Sequence, residues 1–171
     1  MDSFQVISDW YHFAILEIIS LPPYSDGDPK AIARALGLTH AEITAALERL
    51  QRLKLLARQP NGRLSNISGN NSTLGGPDSA PALRSLQRSI LQKAILALEE
   101  IPVEVRDQSS MTMAVDSKRL PEARAAIKSF RRKLSEILQS SKTRDAVYHL
   151  GISLYPVTPV PNSHIHSGEN K

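Results

Sequence analysis

Apolar positions recur at helical spacing over residues 5–21. Val6, Trp10, Phe13, Ala14, Ile18 and Leu21 form one stripe, and Ile15 and Ile19 widen it, so the pattern predicts a helix covered on two sides. In "LPPYSDGDP" (21–29) Pro22 and Pro23 stop that helix, and Asp28-Pro29 open the next in cap-and-first-turn order. The second helix runs from Pro29 to Leu36 and ends at Gly37. Thr39, with Glu42 three residues later, spells a capping box and predicts a third helix as far as Leu53. A short extended "KLLAR" and then "QPNGRLS" follow, and Asn61-Gly62 between two extended runs is a hairpin signal.

The pattern then breaks. "NISGNNSTLGGPDSAPA" (66–82) is rich in Ser, Asn, Gly and Pro and reads as a linker or mobile loop. A long helix is predicted over 80–100, with Leu83, Leu86, Ile90, Ala94, Ala97 and Ile101 on one stripe. "SMTMAVDS" alternates like a strand, with Met111, Met113 and Val115 on one face. A helix from Pro121 to Gln139 turns Ala123, Ile127, Phe130, Leu134 and Ile137 inward. "AVYHLGISLYPV" (146–157) alternates again, as a second strand. The polar tail, 158–171, is expected to be disordered. The expected fold is mainly α with a small β contribution (α+β). It comprises a winged helix-turn-helix over 1–65, the 66–82 linker, and a long helix with a strand–helix–strand module over 83–157 for dimerisation or effector binding.

Across 171 residues, 41% are hydrophobic and 22% charged, which suits a globular chain with a real core. With no Cys, disulfides and thiolate metal sites are excluded. The first apolar run lacks a basic leader and contains Asp9, His12 and Glu17, so a cytoplasmic protein without a membrane span is expected. The formal charge of +4 favours a polyanionic partner only if it is well placed. Residues 1–65 hold seven Lys/Arg against seven Asp/Glu, whereas residues 66–171 hold fourteen against ten. The candidate DNA-binding half is therefore neutral.

A helix-turn-helix needs small or apolar residues where its helices cross. Ile32, Ala33 and Leu36 face Leu38, Ile43, Leu47 and Leu50 around Gly37. Readout is a separate matter. The outward positions of the recognition helix are His40, Ala41, Glu42, Thr44, Ala45 and Glu48, with no Lys or Arg among them. Glu repels phosphate and releases no counterion. The DNA-binding candidates are Thr39, His40, Thr44, Arg49, Arg52, Arg58 and Arg63. His40 and Thr44 would probe the groove, while Arg58 and Arg63 flank the wing tip. A second candidate surface is the basic face Arg124, Lys128, Arg131 and Arg132 of the 121–139 helix, suited to nucleic acid or an acidic protein segment.

Catalysis finds little support, and no catalytic residue, metal or cofactor is expected. "LGGPD" precedes a Pro-rich turn rather than following a strand, so it is no phosphate loop. Five His without a thiol argue against a buried metal site, and the His164/His166 pair sits in the tail. Asp107, Ser109, Ser110 and Thr112 read as a loop that satisfies its own backbone.

"SDWYHFAILEII" (8–19), the helix-turn-helix, "VRDQSSMTMAV" (105–115) and "VYHLGISLYPVT" (147–158) together resemble a family of bacterial proteins defined only as a domain of unknown function. That family is abundant in predatory and fibre-degrading bacteria. The resemblance covers nearly all of residues 8–158. It implies a winged-helix module joined to a helical and two-stranded module, and a transcriptional regulator as the presumed activity. Trp10, Tyr11, Arg106, Asp107, Thr112, Tyr148 and Pro156 match its pattern. Longer members carry a further N-terminal segment, so the resemblance implies either a short form or a fragment here. The functional expectation is a dimeric winged-helix regulator of duplex DNA. The alternative is a protein-interaction module that reuses the scaffold, with Glu42, Ala45 and Glu48 facing a protein partner.

Overall fold

The computed structural model describes Val6 and residues 8–68 and 80–159. It is mainly helical, with one small antiparallel sheet among the described residues. Helix α1 spans Trp10–Ile18. The single helix expected over 5–21 is interrupted, because Asp9 takes extended backbone (φ −116°, ψ 125°). A 3-10 turn at Pro22–Tyr24 leads to α2, Pro29–Leu36. The Asp28 carboxylate caps α2, accepting from the Lys30 N–H at 3.0 Å and the Ala31 N–H at 3.3 Å. Pro29 occupies the first turn, where a missing N–H costs nothing. Gly37, in left-handed backbone (φ 67°), ends the helix, and the Leu38 N–H donates to the Ala33 carbonyl at 3.0 Å.

Helix α3, His40–Arg52, starts on the capping box read from Thr39 and Glu42. It ends through Lys54, which also adopts the left-handed region (φ 55°), while the Leu55 N–H donates to the Leu50 carbonyl at 2.9 Å. Strands β1 (Leu56–Arg58) and β2 (Leu64–Asn66) then pair antiparallel, Leu56 opposite Asn66 and Arg58 opposite Leu64. The ladder continues one step through the Ile67 N–H to the Leu55 carbonyl at 2.9 Å.

These pieces close on one core. Ile15 and Ile19, at the end of α1, meet Ile32, Ile43 and Leu50, and Leu56 and Leu64 seal it from the hairpin. The Asn66 amide donates to the Leu16 carbonyl at 3.3 Å, in the last turn of α1 where helix carbonyls lack helical partners. The loop before α2 presses onto β2, with the Leu64 N–H donating to the Ser25 carbonyl at 2.7 Å. There only glycine fits: Gly27 has φ 76°, and a Cβ on it would collide with the Leu64 side chain.

Helix α4, Ala80–Glu100, packs against α1 and buries Ala82 and Leu86, and Lys93 Nζ lies 4.4 Å from the centre of the Trp10 ring. Short 3-10 turns at Val103–Val105 and Ser117–Arg119 lead to α5, Leu120–Gln139. The middle of the expected linker, 69–79, and the tail from 160, with His164 and His166, lie outside the described residues. Asn66 belongs to β2, and residues 80–82 belong to α4.

The expected strand–helix–strand module is corrected. Neither "SMTMAVDS" nor residues 146–157 pairs with a strand among the described residues. Alternation marks a segment suited to a sheet, but a strand exists only when a neighbour accepts its hydrogen bonds. Side chains anchor the chain just ahead of the first segment and the second segment itself. The Arg106 guanidinium donates to the Ile101 carbonyl at 2.8 Å and the Leu98 carbonyl at 3.3 Å. The Gln108 amide donates to the Ala94 carbonyl at 2.8 Å, and the Tyr148 hydroxyl to the Val105 carbonyl at 3.2 Å. The helical stripes are also less covered than expected. On α4 only Ala82 and Leu86 are buried, and α5 buries no residue.

Candidate nucleic-acid interface

The turn Gly37–Thr39 brings the end of α2 beside the start of α3. A shallow groove opens there, lined by Lys30, Ala33, Arg34, Gly37, Leu38 and His40. Lys30 and Arg34 sit four residues apart on α2, so they share a helix face, and both are exposed along with His40. Lys30 and Arg34 were absent from the sequence-based candidates. Their four-residue spacing is readable in the sequence, but nothing local in it places that face of α2 beside the start of α3.

The candidates divide by what already holds them. Thr39 is occupied with the helix end: its hydroxyl accepts from the Glu42 N–H at 3.2 Å, and its own N–H and hydroxyl donate to the Glu42 carboxylate at 2.8 and 2.6 Å. These bonds hold Glu42 below the usual carboxylate range, the side-chain bond from Thr39 foremost. The Glu42 carboxylate is therefore folded back onto its own helix end. Thr44 donates its hydroxyl to the His40 carbonyl at 2.9 Å, as hydroxyls within helices commonly do. His40 is exposed.

The arginines behave differently from one another. Arg49 is half-buried, with Nη1 2.9 Å from His12 Nε2. Arg58 bridges two backbone segments, donating through Nη1 to the Asp26 carbonyl at 3.2 Å and the Gly62 carbonyl at 2.6 Å. It ties the hairpin tip to the loop before α2. Arg52 and Arg63 are exposed. The hairpin tip that carries Arg63 is ordered by Asn61, whose side-chain carbonyl accepts from the Arg63 N–H at 3.0 Å, and by Gly62 at φ 80°.

On α5, Arg124, Lys128, Arg131 and Arg132 are all exposed, as the helical pattern predicts. The Arg131 charge reaches the returning segment: His149 is held below the usual histidine range by burial first and by Arg131 second. Among the described residues no helix is long and apolar enough to cross a membrane.

Residues 1–157 match the family described as "Domain of unknown function (DUF4423)". No curated protein and no solved structure matches the chain.

Proposed function

The chain belongs to the DUF4423 family, and we propose that its first half is a winged helix-turn-helix that binds duplex DNA in a transcriptional regulator. The observation that carries this reading is the groove between α2 and the start of α3. Lys30, Arg34 and His40 line it with no carboxylate among its lining residues. Phosphate contact needs cations near the mouth of the recognition helix, and Lys30 and Arg34 supply them where α3 itself does not. Glu42, the carboxylate nearest that mouth, is engaged by Thr39 and so does not project toward a phosphate. Arg63 at the hairpin tip and Arg52 at the end of α3 add backbone contacts.

A second reading rests on the exposed Ala41, Ala45 and Glu48 of α3, a small and acidic surface better suited to a protein face. One titration separates the two. Binding to random-sequence duplex DNA should be measured at two salt concentrations, with the intact chain and with Lys30→Ala and Arg34→Ala. Steep salt dependence that flattens in the variants is expected for the regulator. Absence of binding at low salt would leave α3 as a protein-docking helix.

A further inference from the structure

The second half of the chain exposes the surface of a core. Of the described residues, 23 large hydrophobic side chains are exposed, and 21 of them lie at or beyond Leu83. They are not scattered. Leu91 (51%), Ile95 (58%) and Leu98 (51%) repeat along one face of α4 at i, i+4, i+7, and Phe130 (51%) and Ile137 (59%) do so on α5. Beside them run the two unpaired alternating segments, with Met111, Met113 and Val115 on one and Leu150, Ile152 and Leu154 on the other. At roughly 200 Å² for a fully exposed large side chain, these eleven present on the order of 1200 Å² of apolar surface. That is several times the few hundred Å² usual for the largest patch on a monomer.

The backbone points the same way. Among the described residues, no backbone–backbone hydrogen bond is made by residues 107–115 or 144–159. Two stretches with strand alternation thus hold rows of unmade ladder bonds beside an uncovered apolar face. Outside the described residues the sequence holds only Met1, Phe4, Ile7, Leu74, Val160 and Ile165 as large hydrophobic side chains, few against the 21 exposed at or beyond Leu83.

We propose that a second copy of this chain covers this face, in an isologous dimer whose core is the α4 and α5 stripes and whose extended segments pair as strands between copies. Two considerations select the same chain as occupant. A two-fold axis sets each surface against one of its own kind, so unpaired edges meet unpaired edges and apolar stripes meet apolar stripes. The area also suits it, because roughly 1200 Å² from each copy, on the order of 2400 Å² in all, falls in the class of obligate homodimers, which are built like a domain core cut in half. This inference is independent of whether the first half binds DNA.

Sedimentation of the full-length protein, with amide hydrogen exchange in the same buffer, tests it. The expected mass at micromolar concentration is twice 18.8 kDa, with residues 109–115 and 146–157 strongly protected. Ile95→Glu places a charge where one chain alone leaves the side chain in water, so it should reduce the mass to one chain. It should also speed exchange in both segments at least 100-fold while residues 8–68 stay protected. A monomeric wild type, a larger open assembly, or a dimer whose two segments exchange at unprotected rates would each overturn the proposal. Should Ile95→Glu precipitate, the mass and exchange of the wild type still decide.

Discussion

Arg49 Nη1 lies 2.9 Å from Nε2 of His12, a ring with no exposed surface. Arg is always a donor, so Nε2 must accept and the ring proton sits on Nδ1. Tyr11 packs on the same ring with centroids 4.5 Å apart and donates its hydroxyl to Asp9 at 3.3 Å. An arginine that the sequence offered as a DNA contact thereby becomes a strut between α3 and α1. Burial, and secondly the Arg49 charge, push His12 down to about 4, so it stays neutral at neutral pH.

The first prediction concerns acid stability. The unfolded chain binds a proton on this histidine near 6.5, whereas the folded chain resists until about 4. Stability is therefore fully present above about pH 6.5 and declines as pH falls toward 4, because the unfolded state takes up the proton first. Urea denaturation at pH 7.5 and pH 5 should differ by on the order of 1 kcal/mol from this group. His12→Gln should flatten that dependence. An unchanged slope in the variant would show that other groups cause it.

Two arginines should separate binding from folding. Arg34→Ala removes an exposed cation from the groove, so the melting temperature should hold while DNA affinity drops several-fold and the salt slope falls by about one. Arg58→Ala deletes the donor that joins the Asp26 and Gly62 carbonyls, so stability should fall by about 1 kcal/mol. Thermal melts and DNA titrations of both variants check the pair. Loss of stability in Arg34→Ala would contradict the assignment.

Left-handed backbone gives opposite signs at two positions. Lys54 sits at φ 55° on an exposed turn, where Lys54→Gly should stabilise by about 0.5–1 kcal/mol, since glycine adopts that conformation without strain. Gly27 combines φ 76° with a close Leu64, so Gly27→Ala should destabilise by about 2 kcal/mol or more. Chemical denaturation of the two variants should show midpoints moving in opposite directions.

The capping box makes the start of α3 sensitive to acid. Thr39→Ala should cost about 1 kcal/mol of stability. Glu42 is held low by Thr39, so its contribution is present above its unfolded pKa and is lost as pH falls through the lower folded value. In Thr39→Ala, the Glu42 carboxyl followed by NMR should titrate higher than in the wild type.

Much of the first half was legible in the sequence because its signals are local. The Asp28-Pro29 start, the Gly37 stop, the Thr39/Glu42 box and the Asn61-Gly62 tip each lie within a few residues of what they organise. The break at Asp9 was not legible, since the apolar stripe continues through it. The candidate surface was legible in part. His40 and Arg63 are exposed as expected, but whether an arginine faces solvent or an inner partner depends on chain brought from 37 residues away for Arg49 and 32 for Arg58.

The sequence by itself determined helices α2 to α5, the caps, the hairpin and the alternation of 111–115 and 146–157, because propensity, capping and periodicity act between near neighbours. Only the tertiary structure decided that Arg49 and Arg58 brace the fold, that Lys30 and Arg34 line the groove, and that the two alternating segments find no strand partner among the described residues. Those outcomes depend on which distant groups come within hydrogen-bond reach, and no local pattern encodes that.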